Sequence, residues 1–220
     1  MANLNVRLNE LIGSGYTDIA SLSYLDLFNA AVNEVADMLP NEVLLKYADN
    51  PADLDDSPTT WTSVEGAKVL LVMRLDSAGV DRECRAISIQ DFGRAKDSNS
   101  LYYATEHSPV YCLTTDAGAT ALDIVPVTTA SETAKIYQYT YSRITDLAVE
   151  TIAYFPPELE QAVVLKACVN ILQSYISDFI QDEEDNELVQ MILVQMDTLN
   201  KQFQQEMSRY TETDKQPRGE

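Results

Sequence analysis

The sequence predicts an α+β protein: a helical bundle, made of an N-terminal helix and a C-terminal helical hairpin, with a small β-rich domain inserted between them. Three observations predict it. Apolar residues recur every three or four positions toward both ends of the chain. Between Trp61 and about Thr145 the pattern shortens to β-branched and aromatic runs that alternate every second position. Gly79, Pro109, Gly118 and Pro126 punctuate that middle stretch as turns. The expected division is residues 1–60 as an arm and bundle helix, 61–145 as the β-rich domain, 146–207 as the helical hairpin and 208–220 as a flexible tail.

Residues 1–20 are weakly patterned, an arm or loop with room for a short helical piece. Ser21 or Ser23 can cap a helix whose Leu25, Phe28, Val32, Val35 and Leu39 share one face, and Pro40 ends it. Asn41–Tyr47 suits another short helix, and the acidic, turn-rich stretch 50–60 connects it to the strands. Strand candidates follow at Lys68–Leu75, Val110–Leu113, Ala121–Val125 and Lys135–Tyr141, with Ile87–Lys96 readable as a short helix or a loop. Pro157 then suits a first helical turn, where a missing N–H costs nothing. The helix it opens, through Ile180, is apolar on most of its circumference. Lys166, Asn170, Gln173, Ser174 and Ser177 form its only polar stripe. Such a helix is central in a bundle or shared with a neighbouring subunit. It is too short and too interrupted to span a membrane. QDEEDNE, 181–187, reads as a connection, with Asp185 or Asn186 capping a last helix that carries Leu188, Ile192, Met196, Leu199, Phe203 and Met207 on one face.

Composition narrows the chemistry. The 220 residues include 35 Asp and Glu against 15 Lys and Arg, a formal charge of -20 that repels nucleic-acid phosphates. MANLNVRLNELIG lacks the apolar core of a signal peptide. Cys84, Cys112 and Cys168 stand far apart with no C-x-x-C pair, as expected for reduced thiols made in the cytosol, and Cys168 sits among apolar neighbours as a small hydrophobe. No Walker loop, dinucleotide fingerprint, H-E-x-x-H or Cys/His metal spacing is present, and IGSGYT is not a nucleophile elbow for the single histidine, His107. DLDDS, 53–57, and the 181–187 run read as solvated acidic turns rather than cation sites, the latter lacking a calcium loop's glycine and final glutamate. The expectation is a protein that is not an enzyme and uses no cofactor. Tyrosine is frequent, twelve against five phenylalanines, which fits either an interface or plain strand propensity.

SLYYATEHSPVY followed by ALDIVPV, and then FPPELEQAVVLKACVNILQ, carry a resemblance. In these segments and in its order of parts, over roughly residues 20–207, the chain resembles the head-to-tail connector, or adaptor, proteins of tailed bacteriophages. The resemblance implies a virion structural protein at the neck, assembled in the host cytoplasm. It would form a homo-oligomeric ring, typically a dodecamer, beneath the portal protein and present a platform to a tail or neck protein. DNA would pass through the lumen without sequence-specific binding. The packing residues it points to, within or between subunits, are Leu159, Val163, Leu172, Tyr175, Ile176, Leu188, Ile192, Met196, Leu199 and Phe203. The tail, with Arg209, Tyr210, Lys215 and Arg218, becomes the candidate portal-docking segment. An acidic lumen is expected from the net charge. Alternatives are a stopper or tail-completion protein or, outside viruses, a helical binding module.

Overall fold

The computed structural model describes residues 2–14, 23–48, 52–53, 62–116, 118–127, 133–141, 144–179 and 186–213. The protein is α+β. In chain order its elements are α1 (Leu4–Ile12), α2 (Tyr24–Met38), a short α3 (Asn41–Leu44) that tightens into a 3-10 turn at Leu45–Tyr47, β1 (Ala52–Asp53), β2 (Thr62–Ser63), β3 (Ala67–Leu75), β4 (Asp81–Glu83), β5 (Arg85–Ala86), α4 (Ile89–Lys96), β6 (Val110–Asp116), β7 (Ala119–Val125), β8 (Ala134–Thr140), a 3-10 turn at Pro157–Leu159, α5 (Glu160–Phe179) and α6 (Asn186–Thr213). They fall into two compact units, one from both chain ends (Met1–Leu39 with Ser142–Glu220) and one from the middle (Pro40–Tyr141).

The unit from the chain ends is helical. The Asn3 side chain accepts the Val6 N–H at 2.8 Å, so α1 starts there, and Leu4, Leu8 and Ile12 recur at steps of four on its buried face. The N–H groups of Leu4 and Asn5, orphaned at the helix start, donate to the carbonyls of Val149 and Leu147 at 3.0 Å each. On α2, Phe28, Ala31, Val32, Val35 and Ala36 are buried. Ser23 holds the N-cap position, but its hydroxyl donates to the Asp26 carboxylate at 2.6 Å rather than capping the backbone. α5 packs against α1, α2 and α6. That threefold contact explains its composition: Ala162, Val163, Val164, Leu165, Ala167, Cys168, Val169, Ile171 and Leu172 are all buried within the unit. Each large aliphatic chain among them is worth roughly 1.5–3 kcal/mol of burial.

The middle unit is built on two four-stranded sheets, ordered β1-β8-β3-β4 and β2-β7-β6-β5. β3 and β8 pair antiparallel along their length, with a register shift between Val69 and Leu71, and β6 pairs antiparallel with β7 from Val110↔Val125 to Asp116↔Ala119. Val72, Ala134 and Ile136 from one sheet meet Val64, Leu122 and Ile124 from the other, with Cys84 between them. On the opposite face of the second sheet, Val110 and Val125 pack with Ala95 of α4 and with Ala104. Arg74 points inward and is buried; its guanidinium donates to the carbonyls of Leu75, Pro126 and Val127 at 3.1–3.4 Å.

Three expected boundaries move. The middle unit starts at Pro40, not Trp61: the Asn41 side chain donates to Leu70 O at 3.3 Å, and Ala52 and Asp53 pair with Ile136 and Lys135. It ends at Tyr141 rather than 145, because Asn29 of α2 grips Ile144, donating to its carbonyl (3.0 Å) and accepting its N–H (2.7 Å). The expected tail from Ser208 is helix as far as Thr213, anchored by buried Met207 and by the Arg209–Glu206 pair at 2.8 Å. Ser21 as a cap, Asn50, Pro51 and Leu54–Thr60 of the acidic connector, the 181–185 part of the acidic run and Asp185 as a cap lie outside the described residues.

Candidate interaction surfaces

The cluster with most chemical potential lies in the middle unit. Asp76, whose side chain is fully buried, accepts the N–H groups of Ala78 and Val80 at 2.9 Å each and the Nε–H of Arg82 at 3.0 Å. The Val80 N–H foremost, with Arg82 and the Ala78 N–H, holds its carboxyl below the usual carboxylate range against the opposing effect of burial. Glu106 accepts the Ser77 N–H at 3.0 Å, and bonding to Ser77 depresses its pKa too. His107 places Nδ1 3.6 Å from Asp76 and Nε2 3.6 Å from Glu106. In a hydrolytic triad the second imidazole nitrogen faces a nucleophile. Here both nitrogens face carboxylates, and the groups tie the β3–β4 turn to the 105–108 turn. Among the described residues no set of three or more His, Cys, Asp or Glu side chains is placed to hold a metal ion.

All three thiols are buried. Burial pushes Cys84 and Cys168 up to about 12 and raises Cys112 as well, so none is a ready nucleophile. No helix among the described residues is long and apolar enough to cross a membrane.

The packing residues named from the sequence separate into two groups. Leu159, Val163, Leu172, Ile192, Leu199 and Phe203 are buried inside the helical unit, where they join α5, α6 and the turn before α5. Tyr175, Ile176, Leu188 and Met196 are half-buried, the first two near the α5 end, Leu188 at the α6 start and Met196 about three turns into α6. Of the tail residues, Arg209 is exposed and paired with Glu206, Tyr210 is half-buried on α6, and Lys215 and Arg218 lie outside the described residues.

Two apolar surfaces lie outside the cores, and the second includes Tyr102 and Tyr103, two of the tyrosines that the sequence offers equally for an interface or for strand propensity. On α6, Met191 (66% exposed), Leu193 (51%) and Val194 (68%) face away from the stripe of Ile192, Leu199 and Phe203. Their signal is plain in MILV, where four apolar residues in a row exceed what one helix face can bury. In the middle unit, Leu101 (102%), Tyr102 (59%) and Tyr103 (45%) project from the turn after α4, where Arg94 lies over the Tyr102 ring at 5.8 Å. The run LYY after DSNS carries that signal, since a polar turn leading into large apolar residues has nothing local to bury them. No protein-family model matches the chain, and no curated protein matches it in sequence.

Proposed function

We propose that this protein is a virion structural protein, a head-to-tail adaptor whose copies form a ring under a portal vertex and give a tail or neck protein its platform. It is not an enzyme and uses no cofactor. In this reading the two units have separate tasks: the helical bundle is the body of the subunit, and the β-rich unit inserted in its sequence offers additional contact surface. One observation carries the reading. After α5 has been enclosed by its own unit, large apolar side chains remain outside at Met191, Leu193 and Val194 and at Leu101–Tyr103, and such surfaces mark association. The SLYYATEHSPVY and FPPELE segments support the connector class among assembly proteins.

Charge fits the same role. The helical unit holds 20 of the 35 acidic residues and only 7 of the 15 basic ones. A channel wall drawn from it would not grip DNA, because phosphate binding needs Lys and Arg. The test is co-elution with portal rings from the same genome, read by size-exclusion chromatography with light scattering. Binding to an adaptor ring instead of the portal would identify a stopper.

A further inference from the structure

We propose that the open edge of β6 accepts an extended segment with basic ends from a partner protein, which adds to the second sheet as a further strand in line with β5. The inference rests on the assembly reading above and names the chemistry of one contact. β6 is paired along its whole length on the β7 side, from Val110↔Val125 to Asp116↔Ala119. On its other side β5 pairs with Val110 and Tyr111 alone, and the chain then leaves for α4. Among the described residues no strand lies beside the rest of that edge.

Register identifies the open backbone groups. The Ile87 N–H donates to Tyr111 O at 2.9 Å, so Tyr111 directs its carbonyl toward β5. Backbone groups alternate sides along a strand, so Leu113 and Thr115 face the same way as Tyr111, whereas Cys112 and Thr114 bond to Asp123 and Ala121 of β7. Leu113 (47%) and Thr115 are both exposed. The Leu113 carbonyl meets the Cys112 thiol at 3.4 Å, a weak donor that leaves it able to accept a backbone N–H.

Proteins shield strand edges with charge, proline, bulges or brevity. The other edges follow that rule: β1, β2 and β5 are two residues long, and β4 is the charged Asp81–Glu83. The distal half of β6 does not. Val110–Thr115, VYCLTT, has no charge and no proline, is rich in strand-forming residues, and keeps an unbroken register with β7. An edge of this kind is a template for another backbone, with main-chain hydrogen bonds supplying the affinity.

Charge selects the partner. From Val110 to Val125 the hairpin carries Asp116 and Asp123 and no Lys or Arg, so it favours an added strand with basic ends. The formal charge of -20 opposes edge-to-edge pairing of two copies of this chain.

The probe is a short synthetic peptide of alternating Val and Thr with Lys at each end, added to the full chain and followed by backbone amide exchange. In the free chain the Leu113 and Thr115 amides should exchange fast while Cys112 and Thr114 are protected by β7; saturating peptide should slow the first pair. Leu113→Pro removes an edge-facing N–H and no bond to β7, a position where a strand tolerates proline. It should abolish the protection at an unchanged melting temperature, and Leu113→Thr, which keeps the N–H, should retain it. Thr115→Pro reads the same edge if Leu113→Pro melts early. A peptide that protects nothing, or protects other amides, overturns the proposal, and so does slow exchange at Leu113 and Thr115 in the free chain. A dimer of the free chain that Leu113→Pro abolishes makes a second copy the occupant and overturns it too. If portal rings co-elute while the peptide leaves the edge unprotected, only this contact fails. If the peptide protects the edge and portal rings elute apart, the adaptor reading fails instead.

Discussion

Glu160 brings three segments together with one carboxylate: it accepts the Ile152 N–H at 2.9 Å and pairs with Arg7 of α1 at 3.3 Å, at the first residue of α5. Glu160→Ala leaves a buried N–H and a largely buried guanidinium without that partner, and should lower unfolding stability by about 2–4 kcal/mol in urea titrations. Glu160→Gln, which keeps an acceptor for Ile152, should cost less. Asp76 and Glu106 give a pH dependence whose sign follows from their depressed pKa values. A group with a lowered folded-state pKa contributes stability that is present above its unfolded value, near 4, and lost as pH falls through the folded one. The acid limb of a stability–pH curve should therefore shift toward shallower loss in Asp76→Asn. The thiols act at the other end. Raised to about 12 in Cys84 and Cys168, they favour the folded state below the ordinary thiol range, and that contribution is lost as pH climbs toward 12. At neutral pH a thiol reagent should find no reactive cysteine in the folded protein and three after denaturation. Little of this was legible in the sequence. DSAG reads as an ordinary acidic turn, and nothing local marks Asp76 as buried or joins it to Arg82, Glu106 and His107.

The elements were more readable, because their periods are local. KVLLVMRL, the paired tyrosines of Lys135–Tyr141, and the steps of three and four in α2 and α6 each announce a strand or a helix. α1 went largely unread, although Asn3 followed by Leu4, Leu8 and Ile12 is a cap and a face. α4 stayed ambiguous because its start depends on Ser88 accepting the Asp91 N–H at 3.3 Å while its hydroxyl meets the Asp91 carboxylate at 3.0 Å, and because Gly93 weakens its propensity. The strands β4 and β5 are too short to show a period. What periodicity could not decide was whether α5 is buried by its own chain or by a neighbour, since both give the same composition. Its enclosure by α1, α2 and α6 leads to a paired prediction. Leu172→Ala should cost about 2–5 kcal/mol by creating a cavity. Val194→Ser on the outward face of α6 should stay within about 0.5 kcal/mol yet weaken assembly, as read by urea unfolding and light scattering.

At the scale of the whole molecule, the chain leaves its helical unit after Leu39 and returns at Ser142. Composition placed the return within a few residues but the departure some twenty too late, because α3 and the short β1 carry little pattern of their own. Both units keep apolar side chains outside their cores, and the acidic excess is larger in the helical one. In the proposed adaptor ring, the outer apolar surfaces would meet protein and the acidic ones would face DNA without holding it. An acidic bore predicts that polyphosphate and duplex DNA fail to bind the assembled ring even at low salt, where a basic bore would retain them. The adaptor reading is tested most directly by size-exclusion chromatography with light scattering on the full chain, alone and after mixing with portal rings from the same genome. Co-elution at a mass corresponding to a ring of copies on each portal is the predicted result. A protein that stays monomeric and elutes apart from the portal at every ratio would contradict it.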